Sequence, residues 1–234
     1  MLNKLIDATE KVIKKGWIKN QYNGYGGGGI TFEKEIGITT NNFEIPDYNG
    51  IEIKTKISSK EYHINLFCSS PDSFLFETKR IFETYGENKS FNISVYSHRK
   101  IYYKGKYYQL NIDDTNKKII LMIYDNNKNL IDNKTSWSYE IIREKINRTI
   151  KNLFIVYGER KYQNRQIYFK YNKYNYYEFK GFDVFINELK KGNVRISFSI
   201  GTFKSEKRKG QMYDHGTSFN IARKNLEKIY YKKI

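Results

Sequence analysis

A chain of 234 residues is long enough for one sizeable domain, and its 39% hydrophobic and 17% aromatic content excludes wholesale disorder. The 42 Lys and Arg residues outnumber the 25 Asp and Glu residues along the whole chain and give a net charge of +17, which favours a polyanionic partner such as nucleic acid; biased codon usage is the alternative source of this charge. The single cysteine, Cys68, excludes an internal disulfide and a multi-thiolate zinc site, and we predict that it is a buried apolar residue.

Signals for membranes and for secretion are missing from the sequence. No uninterrupted apolar run approaches the roughly 20 residues of a membrane span. The N-terminal segment lacks the apolar core and the small-residue cleavage site of a secretory signal. We therefore expect a cytoplasmic protein that does not associate with membranes.

The first 40 residues combine a helix, a glycine-rich segment and a second, short helix. A helix is predicted over residues 2–15, because the apolar residues up to Ile13 fall on one helical stripe and Gly16 follows as a stop. Residues 23–29 include five glycines and are predicted to be a flexible turn. The turn lacks the Lys-Ser/Thr ending of a nucleotide-binding loop, so we expect no nucleotide cofactor. A short helix is predicted from Thr31 to Ile36, ended by Gly37.

Strand patterns dominate the remainder of the chain, and they predict an α+β fold. Alternating apolar and polar residues or short apolar runs predict strands at 50–56, 63–68, 91–97, 109–113, 118–124, 167–174 and 194–203. Residues 104–106 and 125–127 are predicted hairpin turns. Further helices are predicted at 73–85, 138–147 and 181–190. With two prolines and no linker-like stretch, we expect residues 1–234 to form a single domain.

Two carboxylates and a lysine form the pattern that carries chemistry. Glu52 and Lys54 are two residues apart on the predicted strand 50–56, so both side chains emerge from one face. Asp47 precedes a turn at Asn49-Gly50 that would fold it back beside Glu52. Converging carboxylates suit Mg²⁺, and a nearby lysine would orient an attacking water and stabilise charge on a phosphate. The alternative is a solvated strand face in a highly charged chain.

Two blocks of the sequence carry a family resemblance. Pro46-Asp47 with Glu52-Ile53-Lys54 resembles the signature of the PD-(D/E)xK nuclease superfamily. The wider run, Gly29 to Ile38, then Asn41-Asn42, then Pro46 to Lys56, resembles the MutH-like branch and, within it, the MvaI/BcnI type of restriction endonuclease. The block from Lys209 to Ile221 is similar to the His-Asp-His-Gly-Thr segment of those enzymes, with Tyr213 where they often have His.

The resemblance implies a fold and a set of catalytic residues. The fold would be a mixed β-sheet flanked by helices, an α+β fold with an α/β core, in which two lobes form a DNA-binding cleft. The catalytic lobe would centre on residues 1–125 and the DNA-recognition lobe on residues 150–221. Asp47 and Glu52 would be metal ligands and Lys54 the catalytic lysine. Glu33, on the short helix, would be an additional acidic catalytic residue; the alternative is a helix-surface carboxylate.

A basic loop after the predicted strand 194–203 would hold the DNA. Lysine and arginine bind phosphates, arginine also pairs with guanine, and a carboxylate accepts a hydrogen bond from cytosine N4. By these properties and by the resemblance, we expect DNA contacts from Lys204, Arg208, Lys209, Tyr213, Asp214 and His215. The alternative is that Asp214 neutralises the loop lysines and that His215 caps a turn.

Three functions compete on this sequence. The first is a type II restriction endonuclease that acts as a monomer on double-stranded DNA at a short specific sequence, with Mg²⁺ as cofactor and Mn²⁺ able to substitute. The second is a MutH-like nicking endonuclease of mismatch repair. The third is a basic nucleic-acid-binding protein without activity. The segment Asp214-His215-Gly216-Thr217 favours the first.

Overall fold

A computed structural model describes residues 1–22, 27–38, 47–48, 50–57, 62–73, 77–86 and 90–234 of the chain. The helices in these ranges are α1 Leu2–Lys14, α2 Gly27–Glu35, α3 Glu77–Tyr85, α4 Tyr139–Thr149, α5 Phe182–Lys190 and α6 Leu226–Ile229, with 3-10 turns at Glu206–Arg208 and Arg223–Asn225. The strands are β1 Trp17–Lys19, β2 Glu52–Lys56, β3 His63–Cys68, β4 Phe91–Val95, β5 Ile101–Tyr103, β6 Lys106–Asp113, β7 Lys118–Tyr124, β8 Leu130–Asp132, β9 Ser136–Ser138, β10 Asn152–Gln163, β11 Gln166–Phe179, β12 Val194–Thr202, β13 Met212–Asp214, β14 Ser218–Ala222 and β15 Tyr230–Lys232. None of the described helices is long and apolar enough to cross a membrane.

The chain divides into two compact units that are not consecutive in sequence. The first unit contains Met1–Tyr62, Asn147–Lys180 and Tyr230–Ile234, and the second contains His63–Ile146 and Gly181–Ile229. Residues 63–125, expected in the catalytic lobe, therefore belong to the second unit, and residues 150–180, expected in the recognition lobe, belong to the first. The reason is long-range strand pairing, because β10 pairs with β2 about a hundred residues earlier in the chain.

The first unit is built on a mixed sheet with the strand order β1-β11-β10-β2, and β15 pairs with β11. β2 runs parallel to β10, and the other pairings of this sheet are antiparallel. Helices α1 and α2 cover one face of the sheet, where Leu5 and Val12 of α1 and Phe32 of α2 pack against Phe154 and Val156. Burial of these apolar side chains stabilises the unit and fixes which face of β10 points to the helices.

The β10–β11 hairpin contains a β-bulge. The strand register shifts between Tyr157, which pairs with Lys173, and Gly158, which pairs with Tyr171, so that Asn172 is the extra residue on β11. A Cβ atom on Gly158 would lie 2.6 Å from the carbonyl oxygen of Lys170. Glycine is therefore required where the two backbones approach at the bulge.

The second unit contains two antiparallel sheets. One has the order β13-β12-β14-β3, with β4 also pairing β12, and the other has the order β5-β6-β7-β8, with β9 also pairing β7. In the core between them, the ring of Trp137 lies 6.1 Å from the ring of Phe198 and 6.1 Å from the ring of Phe219. The hairpin turns predicted at 104–106 and 125–127 are confirmed as the β5–β6 and β7–β8 connections.

Most predicted elements are confirmed. Where their bounds differ from the predicted ones, strand pairing or packing explains the difference. The strands at 63–68 and 118–124 have the predicted bounds, whereas β11 extends to Phe179 because β10 and β15 continue to pair with it. The glycine-rich turn is wrong for Gly27–Gly29, which form the start of α2; residues 23–26 lie outside the described residues. Cys68 is exposed, not buried. Asn41, Asn42, Pro46, Asn49 and residues 74–76 of the predicted helix 73–85 also lie outside the described residues.

Candidate active site

Helix α2 places Glu33 on the first unit. The hydroxyl of Tyr171 donates a 2.6 Å hydrogen bond to the carbonyl of Gly28, and the ring of Tyr171 lies edge-on to Phe32 at 5.2 Å. A Cβ atom on Gly28 would be 2.6 Å from Cγ1 of Ile57, so glycine allows the helix to approach the residue that follows β2. Phe32 is fully buried and Glu33, the next residue, is half-buried.

Strand β2 carries Glu52 and Lys54 on one face. Ile51 and Ile53 point to the buried face and are each 5% exposed, so the intervening residues point the other way. Parallel pairing sets Glu52 beside Leu153 and Lys54 beside Ile155 on β10. The ammonium group of Lys54 donates a hydrogen bond to the carboxylate of Glu52. The predicted juxtaposition of the two charged side chains is therefore confirmed.

The turn before β2 brings Asp47 back to the strand. Tyr48 and Ile51 pair through two backbone hydrogen bonds, of 3.0 and 2.9 Å, and Gly50 between them has a φ of +84°. Oδ2 of Asp47 accepts a 2.8 Å hydrogen bond from the backbone N–H of Ile53. This hydrogen bond confirms the predicted return of Asp47 to the strand. It places Asp47 at Ile53, the residue between Glu52 and Lys54.

The carboxylates of Glu33, Asp47 and Glu52 repel one another in the candidate active site. Burial raises the pKa of Glu33, and the negative charges of Asp47 and Glu52 raise it further, whereas Lys54 lowers it. Burial likewise raises the pKa of Glu52, Lys54 lowers it, and Asp47 raises it. All four predicted residues thus lie close enough to interact electrostatically. A cation beside them would relieve the repulsion between the carboxylates.

The donor set fits a hard divalent cation with few protein ligands. Within the described ranges, no group of three or more His, Cys, Asp or Glu side chains is close enough to hold a metal ion. Two carboxylates, Asp47 and Glu52, flank Ile53 from the turn and from the strand. Mg²⁺ is commonly bound by one or two carboxylates together with water and substrate phosphates. The residues present therefore fit Mg²⁺ better than a metal that requires a closed protein cage.

Three residues that support the site were not predicted. The side chain of Asn152 donates a 3.3 Å hydrogen bond to the carbonyl of Gly50 and accepts one of 3.0 Å from the hydroxyl of Tyr176. Tyr230 is buried, donates to the carbonyl of Ile150 at 3.0 Å, and has its pKa raised by burial and by the charge of Glu52. The apolar run 153–157 is the signal that indicates a buried strand beginning at Asn152.

The predicted DNA-contacting residues form a separate group in the second unit. Lys204, Arg208 and Lys209 are exposed on the loop between β12 and β13. The guanidinium of Arg208 lies 3.8 Å from the ring centroid of Phe203. Backbone hydrogen bonds join Phe203 N to Gln211 O at 2.9 Å and Gly210 N to Phe203 O at 3.0 Å. The loop is therefore a closed basic hairpin rather than an extended connection.

Tyr213, Asp214 and His215 lie at the end of this hairpin. The carboxylate of Asp214 accepts a 2.8 Å hydrogen bond from Gly216 N, and the rings of Tyr213 and His215 meet at 4.6 Å. Burial raises the pKa of Asp214, while the hydrogen bond from Gly216 and the charge of His215 lower it. The backbone of Gly216, rather than a loop lysine, is thus the hydrogen-bond donor to Asp214.

Comparison with known proteins finds similarity to restriction endonucleases, both in sequence and in structure. Residues 6–230 match the model of the MvaI/BcnI restriction endonuclease family. A solved complex of restriction endonuclease MvaI with its cognate DNA substrate is 26% identical, with a TM-score of 0.92 over 99% of this chain and 97% of that chain. MvaI in the absence of DNA is 26% identical, with a TM-score of 0.61 over 99% of this chain and 96% of that chain. No curated protein matches significantly.

The fold is accordingly that of a restriction endonuclease, with the mixed α+β architecture expected from the sequence. The chain belongs to the MvaI/BcnI restriction endonuclease family. It is a type II, site-specific DNA nuclease. The third function considered above, a basic nucleic-acid-binding protein without activity, is therefore rejected.

Proposed function

We propose that this endonuclease hydrolyses phosphodiester bonds of double-stranded DNA at a short specific sequence, with Mg²⁺ held by Asp47 and Glu52. Mn²⁺ would substitute for Mg²⁺. The observation that carries the proposal is the hydrogen bond from Ile53 N to Asp47, because it joins the turn to the strand that presents Glu52 and Lys54. The solved MvaI complex contains its cognate DNA, which supports double-stranded DNA as the partner of this chain.

The four charged residues divide the work of hydrolysis. When bound, a divalent ion supplies positive charge that polarises the scissile phosphate and makes an attacking water more acidic. Asp47 and Glu52 hold that charge in place, and the Lys54 ammonium orients the water and stabilises the negative charge that develops on the phosphate. Glu33 is an additional acidic residue at the same centre, and the negative charges of Asp47 and Glu52 raise its pKa beyond the effect of burial.

The basic hairpin of the second unit reads and holds the DNA. Lys204 and Lys209 are exposed and bind phosphates. Arg208, positioned on Phe203, pairs with a guanine, and Asp214, held by Gly216 N, accepts from cytosine N4. Tyr213 and His215 stand beside Asp214 and contribute further base contacts.

The oligomeric state and the location follow from the same proposal. One chain carries both the carboxylate–lysine group and the basic hairpin, so we propose that the enzyme acts as a monomer. We also propose that it works in the cytoplasm, where its DNA substrate would be met.

Plasmid cleavage with and without Mg²⁺ tests the proposal. Wild-type protein with Mg²⁺ should give discrete fragments, whereas a nicked product that needs a repair partner would favour the MutH-like alternative. Lys54→Ala should lower the cleavage rate by roughly 10²- to 10³-fold and leave DNA binding intact. Lys14→Ala, an exposed lysine on α1, is the matched control and should cleave normally. Undiminished cleavage by Lys54→Ala would reject the assigned active site.

A further inference from the structure

One face of the β10–β11 hairpin and β1 carries lysines and aromatic rings. β1 pairs Trp17 with Lys170 and Lys19 with Tyr168, and β10 pairs Lys161 with Tyr168 and Glu159 with Lys170. Paired residues of neighbouring strands point to the same side of a sheet. The lysine–aromatic face is therefore a continuous surface of six side chains: Trp17, Lys19, Glu159, Lys161, Tyr168 and Lys170.

This face is on the same side of the sheet as the candidate active site. Lys54 is paired with Ile155, so the two side chains point to the same side of the sheet. The extra residue of the bulge lies on β11, so β10 keeps its regular alternation, and residues 155, 157, 159 and 161 all point to that side. Lys161 lies six residues beyond Ile155 along β10. At roughly 3.3 Å per residue, it is about 20 Å from Lys54 along the strand.

The opposite side of the sheet is closed by packing. Phe169 belongs to the core that α1 and α2 cover, and Ile18 and Ile167 pack against that core. By contrast, Lys19 is exposed, Trp17 is 37% exposed, and the side chains of Lys170 and Glu159 are 43% and 54% exposed. The lysine–aromatic face is thus available to a partner, whereas the helix-covered face is not.

Aromatic rings hold the central lysine in place. The ammonium group of Lys161 lies 4.6 Å from the ring centroid of Trp17 and 5.6 Å from that of Tyr168. Such cation–π contacts restrict the side chain and keep its charge at the surface. The exposed pair between Lys170 and Glu159, with its oxygen and nitrogen 3.9 Å apart, is weak enough for a phosphate to displace the carboxylate.

The chemistry of the face selects its partner. The face carries three cations, Lys19, Lys161 and Lys170, against the single anion Glu159. This excess of like charge disfavours pairing with a second copy of the hairpin and favours a polyanion. Because Lys161 already covers the rings of Trp17 and Tyr168, the face suits phosphate groups better than stacked bases.

The geometry points to a second DNA-binding surface, in which Lys19, Lys161 and Lys170 bind backbone phosphates that flank the cleavage site. The inference rests on the proposed function, because it requires duplex DNA at Lys54. A separation of about 20 Å along the sheet corresponds to about six base pairs of duplex. The surface would add affinity without adding sequence information, since phosphate contacts are independent of sequence.

Binding to duplexes of two lengths tests the inference. Both duplexes would contain the recognition sequence around the cleavage site mapped from the plasmid digest. One would have two and the other ten base pairs beyond each end of that sequence, and binding would be measured in metal-free buffer. On the long duplex, the Kd of the wild type rises between 50 and 200 mM salt. We expect this rise to be roughly 40-fold smaller in the triple variant Lys19→Gln/Lys161→Gln/Lys170→Gln, because three phosphate contacts are removed. On the short duplex it should match the wild type.

A matched variant controls for net charge. Lys4, Lys11 and Lys14 are exposed on α1, which packs on the opposite side of the sheet. Lys4→Gln/Lys11→Gln/Lys14→Gln removes the same charge and should keep the wild-type salt dependence. An equal change in both triple variants would overturn the inference, since it would then report net charge alone.

Trp17 provides a readout that does not depend on activity. The chain has two tryptophans, and Trp137 is fully buried, so acrylamide should quench mainly Trp17. The long duplex should protect Trp17 from acrylamide and the short duplex should not. If wild-type protein cleaves DNA while Trp17 stays equally accessible on both duplexes, the second surface is rejected and the proposed function stands. If wild-type protein cleaves no DNA with Mg²⁺, both are rejected.

Discussion

The backbone N–H of Ile53 donates a 2.8 Å hydrogen bond to the carboxylate of Asp47, six residues earlier in the chain. This bond ties the turn to β2 at the residue between Glu52 and Lys54. Asp47 therefore has two roles in our account: it fixes the local backbone through one oxygen, and it contributes negative charge to the proposed metal site. The two roles can be separated by substitution.

Asp47→Asn keeps a hydrogen-bond acceptor and removes the charge. We expect its free energy of unfolding to stay within about 1 kcal/mol of the wild type, because the bond to Ile53 N persists. Cleavage should be lost, since a carboxamide is a poor ligand for Mg²⁺. Asp47→Ala is the companion variant and should lose cleavage and also about 1–3 kcal/mol of stability, as the N–H is left unpaired. Urea unfolding and plasmid cleavage measure the two effects; full activity in Asp47→Asn would contradict the assignment.

Glu33→Gln should stabilise the metal-free protein and impair the enzyme. Burial and the charges of Asp47 and Glu52 raise the pKa of Glu33, so removing its charge relieves repulsion. We expect a gain on the order of 0.5–1 kcal/mol, or about 2 °C in Tm, together with slower cleavage. Glu35→Gln is the control on the same helix, because Glu35 forms a 2.6 Å ion pair with Lys15. A lower Tm for Glu33→Gln would show that its charge is stabilising.

The charged triplet was predictable from sequence because its positions depend on local geometry. Alternation along one strand places Glu52 with Lys54, and the turn at Gly50 returns Asp47 to them. The start of α2 was not predictable. Gly28 satisfies a packing requirement against Ile57, a residue almost thirty positions away, and nothing local distinguishes this from a flexible turn.

Asn152 should act as a positioning residue for the turn that carries Asp47. Asn152→Ala removes the bond to Gly50 O, and we expect a 10- to 100-fold rise, roughly, in the Mg²⁺ concentration needed for half-maximal cleavage. Tyr176→Phe removes only the bond that Tyr176 donates to Asn152 and should give a smaller shift in the same direction. Cleavage rates titrated with Mg²⁺ measure both. A lower rate at every Mg²⁺ concentration with an unchanged midpoint would indicate a general structural defect.

Asn152 illustrates what single-sequence reasoning misses. Its role depends on the parallel pairing of β10 with β2, which joins residues about a hundred positions apart. The apolar run after it indicates a buried strand, but not the neighbour of that strand. The division into units has the same cause, since β10 returns the chain to the sheet that begins with β1 and β2.

Arg80 should be essential for the stability of the second unit. It donates to Glu77 at 2.6 Å and to Asp132 at 2.7 Å, and these carboxylates are 3% and 7% exposed. Arg80→Ala leaves both buried charges unpaired, and we expect a loss of about 3–5 kcal/mol in the free energy of unfolding. Lys79→Ala, which removes an exposed pair with Glu83, should cost less than about 1 kcal/mol. Similar losses in both variants would contradict this.

The same cluster gives a pH dependence with a definite sign. Burial raises the pKa of Asp132, but hydrogen bonds from Arg80 and Tyr85 outweigh it and lower the pKa below its usual value of 3.8. A carboxyl whose pKa is lower in the folded state stabilises the fold above its unfolded pKa and loses that contribution as the pH falls through the folded value. We expect stability from Asp132 to be full above about pH 5 and to decline below about pH 4. Asp132→Asn should weaken this acid dependence in urea unfolding, and an unchanged profile would argue against it.

Anomalous scattering from crystals of the protein grown with Mn²⁺ would locate the metal ion that we place between Asp47 and Glu52. We predict a peak about 2.1 Å from a carboxylate oxygen of Asp47 and of Glu52, with the Lys54 ammonium beside it. A Mn²⁺ peak elsewhere in the molecule, with none between these two carboxylates, would contradict the proposed active site.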